Sequence, residues 1–234
     1  LTSEMQQLEL KDKIREWWDD PSQDYDGFHG HGVNSDIEKE LWGDEIMRLL
    51  DSKKDLKVLD IGTGTGFLAL LLSSKGYDVT AVDWSKNMMQ KAIDKARAAS
   101  LPIKFDVQDA ESLTFADASF DAVVSRHVLW TLADPAKAAK EWARIIKPAG
   151  MIITDIPRQG SQSGKHHYGE EVGLQLPLGN GADPAEIVGL FKQAGLANIS
   201  LKLMEKQDEV NNEHKEHNEH KGHRKTMLIC GEKR

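Results

Sequence analysis

Two carboxylates and a run of glycines carry the most chemistry in this chain. Asp60 is followed by Gly62, Thr63, Gly64 and Gly66, and Asp83 stands roughly 20 residues beyond the glycines. Glycines lack a Cβ, so they reach positive φ and let a ligand lie against bare backbone. A carboxylate at the spacing of Asp83 can hold ribose hydroxyls. A helix opening directly after the glycines offers unpaired N–H groups and a partial positive charge to an anion. Together these residues read as a nucleoside site. A ligand-free turn would explain the glycines but not the two acids.

The elements that must position these groups follow from the local pattern. Leu56 to Ile61 is apolar enough for a strand buried on both faces, and Phe67 to Leu72 resumes as an apolar run of helical character. Strand, glycine turn and helix open a βαβ unit, and Asp78–Asp83 is its second strand. Ser85 can cap a helix from about 85 to 99, with Met88, Met89, Ala92, Ile93 and Ala96 on one face. Residues 103–107 read as a third strand and the stretch after Ser119-Phe-Asp121 as a fourth. Asp134-Pro135 starts the next helix, Lys147-Pro-Ala-Gly150 ends it, and residues 151–155 form a fifth strand. Asp183-Pro-Ala-Glu186 caps a helix that ends at Gly195. Residues 198–204 and 225–230 are the last two strands, an antiparallel pair.

The glycines discriminate between nucleosides. A dinucleotide fingerprint would place a third glycine where Phe67 stands. The pattern here, Asp60-x-Gly-x-Gly-x-Gly66, resembles motif I of the class I S-adenosylmethionine (SAM) dependent methyltransferases. Residues 109–115, Asp-Ala-Glu-Ser-Leu-Thr-Phe, resemble a further motif of that family, with Thr114 where proline is usual. The branch most similar is that of the ubiquinone and menaquinone C-methyltransferases. The resemblance covers residues 56–155 by motif and 183–234 by topology.

The resemblance implies an α/β, Rossmann-like fold: a seven-stranded, mostly parallel sheet with the last strand antiparallel and helices on both faces. It implies SAM as cofactor and S-adenosylhomocysteine as product. Asp60 would suit the ammonium of the methionine moiety and would repel a pyrophosphate. Asp83 would hold the ribose, and Trp84 would lie against adenine through its π face. Asp109 would accept from the adenine amino group and the Ala110 N–H would donate to a ring nitrogen. Ser125, Arg126 and His127 would stand at the methionine end. Met88 is kept among the cofactor candidates, although Met88 and Met89 read more readily as core. Tyr25 matches a position where relatives place a hydroxyl near the SAM carboxylate; ordinary packing is the other reading.

His127 is the leading candidate for a base or an acceptor-positioning group, because an unperturbed histidine titrates near neutral pH. A core-edge histidine satisfied by backbone is the alternative. His29 is the second catalytic candidate. It lies with His31 in the glycine-rich stretch from Tyr25 to Gly32, read as a lid or surface loop; two histidines with Asp24 and Asp26 nearby fall short of an ordinary zinc set. Residues 3–19 have the spacing of an amphipathic helix, and Asn34 or Ser35 could cap a second helix over 36–51. In the family such a segment, here 1–51, folds over the cofactor. Residues 156–182 read as a variable acceptor loop, mobile in character, with His166, His167 and Tyr168 as acceptor-pocket candidates. Residues 205–225 carry His214, His217, His220 and His223 at every third position, either a metal-binding stripe or a solvated hairpin tip.

Composition narrows the partners. The 234 residues suffice for one methyltransferase domain with one main core, and the net charge of −8 with no dominant basic stripe argues against a nucleic acid backbone. No apolar run approaches a membrane span. The single Cys230 fits a reducing cytoplasm and argues against arsenic methylation. A small-molecule acceptor, no nucleic acid, no membrane and no metal are therefore expected, and oligomeric state stays open. Two other function classes stay in view: an NAD-type oxidoreductase, opposed by Phe67 and Asp60, and a non-catalytic SAM- or metal-binding protein suggested by the histidine stripe.

Overall fold

The computed structural model describes residues 3–21, 25–27, 36–51, 53, 55–204 and 226–234. His29, His31, Asp24, Asn34, Ser35 and the histidine stripe of 205–225 lie outside the described residues. Two helices open the chain, α1 (Ser3–Asp19) and α2 (Asp36–Leu49), with a single 3₁₀ turn at Tyr25–Gly27 between them. The alternating core follows: β1 (Lys57–Ile61), α3 (Phe67–Ser74), β2 (Asp78–Asp83), α4 (Lys86–Ala98), β3 (Lys104–Val107), β4 (Phe120–Ser125), α5 (Pro135–Ile145) and β5 (Ile146–Ile156). Then come α6 (Ser163–Gly173), α7 (Pro184–Gln193), β6 (Leu196–Met204) and β7 (Thr226–Lys233).

The strands form one sheet in the order β3-β2-β1-β4-β5-β7-β6. β7 runs antiparallel to both β5 and β6, and the pairs from β3 to β5 are parallel, so only β7 is reversed. Alternation along each strand feeds two cores. Leu59, Ile61, Val123 and Ile152 meet Trp142 of α5 and Phe191 of α7 on one face. Val58, Val79, Val124 and Ile153 meet Leu68 and Leu72 of α3 and Trp42 and Ile46 of α2 on the other. Each fully buried Leu or Ile contributes about 1.5–3 kcal/mol, so the central strands are the rigid part of the molecule. Their C-terminal ends, where β1 and β4 diverge toward opposite neighbours, define the crevice.

The caps are where the sequence places them. Ser85 accepts from the Met88 N–H (3.1 Å), Asp134 from Lys137 (2.9 Å) and Asp183 from Ala185 (2.8 Å), and Gly195 takes φ 88° just past α7.

Two expectations change. The turn expected at Lys147–Gly150 is part of β5, taken up as an irregularity with Ala149 at φ 61° and a register shift against Phe120 and Ala122. The segment read as a mobile loop contains α6, two helical pieces joined by a kink at Gly169 (φ 75°, ψ 177°). Its packing uses bare backbone instead of an aliphatic stripe: a Cβ on Gly173 would lie 2.4 Å from the Lys165 nitrogen, and one on Gly164 3.0 Å from the Gly179 Cα. Helical periodicity of apolar residues cannot reveal such a helix.

Candidate active site

The glycine turn is shaped by what touches each glycine. Gly62 (φ 66°) lies under Val128, whose Cγ2 would be 2.3 Å from an added Cβ. Gly66 (φ 95°) is pressed against α4, with Ala92 Cβ at 3.0 Å from the same imagined atom. Gly64 (φ 55°) meets nothing closer than Met88 Cε at 3.6 Å and Tyr25 Cε1 at 3.9 Å, so its missing side chain leaves the turn open to the cleft.

Asp60 lies beneath this turn and does not line the cleft. Its Oδ2 accepts from the Thr63 hydroxyl (2.7 Å) and the Ala69 N–H (3.0 Å), and the residue is 1% exposed. The Asp60 carboxylate thus ties strand, turn and helix together. Thr63 faces inward for the same reason, and its N–H donates to the Val82 carbonyl (3.0 Å). Ser125, fully buried, donates to the Ile61 carbonyl (2.9 Å) and joins β4 to β1. Asp60, Thr63, Gly66 and Ser125 therefore build the site from behind and none of them lines its wall.

Asp83 does line it. Its two oxygens accept from the Gly64 N–H (2.8 Å) and the Ser85 N–H (2.8 Å), which fixes the carboxylate at the mouth of the turn. Burial pushes the Asp83 carboxyl up to about 6, with the backbone N–H groups opposing the rise. Burial likewise pushes Asp60 up to about 7. Between about pH 4 and 7 the unfolded chain has released these protons while the folded chain holds them. Folding then takes up protons, so the stability of the ligand-free protein should fall as pH rises through that window and level off above it. The effect is of order a few kcal/mol, and scanning calorimetry should show a melting temperature several degrees lower at neutral pH than near pH 5. A melting temperature that rises across that range would contradict the burial of these acids.

The end of the cleft at Asp109 is bounded by a cation that sequence reasoning missed. Lys11 of α1 donates to Asp109 Oδ2 (2.5 Å) and Glu111 Oε2 (2.8 Å), and its ammonium lies 6.0 Å from the centre of the Trp84 ring. Asp109 Oδ1 accepts from the Glu111 N–H (2.9 Å). Asp109 and Ala110 both line the cleft as expected, with Gln108 and Glu111 beside them. Glu111 is buried and also accepts from the N–H groups of Ala133 (2.9 Å) and Asp134 (3.0 Å), so it couples the motif to the start of α5.

The opposite end is more charged. Arg126 is 7% exposed, pairs with Glu38 of α2 at 2.6 Å and lies 4.2 Å from the centre of the Phe67 ring. Its Nε is buried without a hydrogen-bond partner. His127 adopts φ 61°; its N–H donates to Asp155 Oδ1 (2.7 Å) and its Nε2 stands 3.8 Å from Asp155 Oδ2. Tyr25 reaches the wall from the 3₁₀ turn, held by Asp26, which accepts from Thr65 Oγ1 (2.5 Å) and Lys95 Nζ (2.5 Å). Burial drives the Tyr25 phenol well above its usual range.

An aromatic cluster stands behind Trp18. Trp17 and Trp18 of α1 meet His167 and Tyr168 of α6 and Trp130, with ring centres 4.5–6.3 Å apart. The Trp18 indole N–H donates to the Tyr168 hydroxyl (2.6 Å). Burial lowers the His167 pKa, which favours the neutral imidazole. Of this group Trp18 lines the cleft itself.

The cleft gathers Tyr25, Gly62, Gly64, Asp83, Trp84, Met88, Asp109, Ala110, Arg126 and His127. His29 lies outside the described residues. Asp155 carried a usable signal, an acid near the end of a strand that feeds the crevice. Lys11 and Glu38 carried none, because ordinary helix surfaces hold many such charges. Among the described residues no cluster of His, Cys, Asp and Glu suits a metal, and no helix is long and apolar enough to cross a membrane.

Comparison with known proteins gives the arrangement its context. A family model described as "Methyltransferase domain" matches residues 59–154. The demethylmenaquinone methyltransferase of Thermus thermophilus is 35% identical over 119 residues, which is 50% of this chain and 54% of that protein. The ubiquinone/menaquinone biosynthesis C-methyltransferase UbiE of Bdellovibrio bacteriovorus is 33% identical over 142 residues, 60% of each. The chain spans about half the length of the curated relatives it matches. In structure, a SAM-dependent methyltransferase from Thermotoga maritima superposes with a TM-score of 0.64 at 20% identity, covering 94% of this chain and 100% of that one, which speaks to fold. Motif, matched segment and sheet order agree: residues 59–154 match a methyltransferase domain, the fold is that of SAM-dependent methyltransferases, and the relatives this core resembles include ubiquinone and menaquinone C-methyltransferases.

Proposed function

We propose that this protein transfers a methyl group from SAM to a small-molecule acceptor. The observation that carries the reading is one cleft lined together by the open Gly64 backbone, the Asp83 carboxylate and the Asp109–Ala110 pair. The residues fit the cofactor: Gly64 leaves room for a ligand against the turn, and the buried, unpartnered Arg126 Nε is a donor in want of an acceptor such as a carboxylate. Asp83 would hold the ribose, Trp84 and Asp109 the adenine, and Arg126 and Tyr25 the methionine end. SAM supplies an electrophilic methyl carbon on a sulfonium; the chain supplies orientation and the exclusion of water.

The acceptor would enter beside Trp18 and His127. Relatives are named for menaquinone and ubiquinone, and the Trp18 ring in the cleft suits a flat acceptor. A single cysteine suits a reducing compartment, and we place the protein in the cytoplasm. The oxidoreductase alternative finds no support, since Phe67 begins α3 where a dinucleotide site needs glycine.

Calorimetric titration with S-adenosylhomocysteine, with NAD in parallel, tests the proposal. Saturable binding of the former alone is the expected result. Binding of NAD in its place would overturn it.

A further inference from the structure

We infer that Lys11 of α1 is a positioning residue for the cofactor. By holding Asp109 and Glu111 it keeps one end of the cleft an edge of acceptors, which takes a 6-amino purine and turns away a 6-oxo purine. This rests on the proposed placement of adenine at Asp109 and adds to it the residue that sets the choice of base.

Glu111 is the fixed point. Its side chain is 3% exposed, and its Oε1 accepts from the N–H groups of Ala133 (2.9 Å) and Asp134 (3.0 Å). Its Oε2 accepts from the Lys11 ammonium at 2.8 Å. The Glu111 N–H donates to Asp109 Oδ1 at 2.9 Å, and Lys11 donates to Asp109 Oδ2 at 2.5 Å. Asp109 is thus gripped at both oxygens, by its neighbour's backbone and by a cation that stands on its neighbour's side chain. Two carboxylates this close repel each other, and one ammonium serves them both. Burial works against that ammonium; the hydrogen bonds to Asp109 and Glu111 outweigh it and hold the Lys11 pKa above the usual lysine range. The helix places Lys11 in its turn, because Leu10 and Ile14 are buried together with Trp18.

The chemistry of the edge follows from this grip. Each oxygen of a carboxylate has two lone pairs, and an ionised carboxylate has no hydrogen to give. With one lone pair on each Asp109 oxygen committed, those that remain can only accept. The Asp109 side chain is 30% exposed and lines the cleft beside Glu111. Trp84 lines it too, with its ring centre 6.0 Å from the Lys11 ammonium, so a purine laid against that indole would bring its edge to these acids. A 6-amino group donates and is matched. A 6-oxo group sets lone pairs against lone pairs and gives up its hydration for no hydrogen bond. Without Lys11 the two acids lose their common cation, Oδ2 loses its donor, and Asp109 can turn its lone pairs to water. The amino group then loses its acceptor, while the oxo group loses only a repulsion.

Calorimetric titration with S-adenosylhomocysteine, and with S-inosylhomocysteine by competition, tests the inference, since the two differ by the amino-to-oxo exchange at purine C6. The wild type should prefer the adenosyl compound by about a hundredfold or more. Lys11→Met should weaken S-adenosylhomocysteine binding about tenfold and leave the inosyl compound within about threefold, so that the preference shrinks. Lys11→Arg, whose guanidinium can donate to both acids, should keep most of the preference. Lys11→Gln removes the charge and gives the same reading if Lys11→Met does not fold. Lys13→Met breaks the pair of the same helix with Glu171 (2.7 Å) and controls for a loosened helix; it should leave the preference as it is. A preference undiminished in the two neutral Lys11 variants overturns the inference. So does one diminished as much by Lys13→Met, or a wild type that binds both compounds alike. Wild-type protein that fails to bind S-adenosylhomocysteine removes the cofactor reading itself, whereas binding with a preference that ignores Lys11 removes only the role of Lys11.

Discussion

Asp83→Ala should weaken S-adenosylhomocysteine binding at least a hundredfold while the protein stays folded. The Asp83 oxygens stand at the mouth of the glycine turn, fixed by the N–H groups of Gly64 and Ser85. A carboxylate so fixed presents its remaining lone pairs to two vicinal hydroxyls, and hydrogen bonds to charged groups are worth about 1.5–3 kcal/mol each. Losing two corresponds to a loss of affinity of two orders of magnitude or more. The fold should tolerate the change, because the lost N–H contacts are offset by removal of a buried acid whose pKa is already driven upward. Calorimetric titration beside a circular dichroism melt decides the matter. Affinity near that of the wild type would sink the ribose assignment.

Gly62→Ala should destabilise the whole domain. The added Cβ would fall 2.3 Å from Val128 Cγ2 at a residue held at φ 66°. Left-handed backbone costs an alanine about 1–2 kcal/mol, and forced overlap in a packed region adds about 1–3 kcal/mol. A loss of about 2–5 kcal/mol is a large share of the stability of a domain. Chemical denaturation measures it, and Val128→Ala in the same background should recover part of the loss by relieving the overlap. The two substitutions share a contact and so should not be additive. Simple additivity would show that the contact with Val128 is not the cause.

The parts of the site that a reader of the sequence can see are the local ones. The glycine turn, Asp83 and the Asp109–Ala110 pair each lie within one strand-to-helix connection, where residue type dictates geometry directly. The sheet was legible for a similar reason, since apolar strands alternate with capped helices and the caps occur at Ser85, Asp134 and Asp183. Asp60 and Ser125 lie buried behind the cleft: a strand-end acid or hydroxyl can serve the turn beneath it as well as a ligand above it, and spacing alone does not say which. Lys11 and Glu38 were invisible because their partners lie 98 and 88 residues away, so only the folded chain brings them together. Helix α6 was missed because glycine and aromatic packing leave no aliphatic period to detect.

Helix α1 has a bearing on timing. It is fastened at several points: Lys11 to Asp109 and Glu111, Lys13 to Glu171 (2.7 Å), the Ser85 hydroxyl to the Trp18 carbonyl (3.0 Å) and the Asp19 carboxylate (2.9 Å), and the Trp18 indole to Tyr168. On the proposed function, a nucleoside held beside Trp84 would lie next to a helix anchored through Lys11. Its residence time would then depend on the helix beside it as well as on the groups that grip it. Two proteins with identical grips and different first helices would hold the same molecule equally tightly at equilibrium and release it on different clocks, and a catalyst that must shed a spent nucleoside every cycle is paced by the slower of the two.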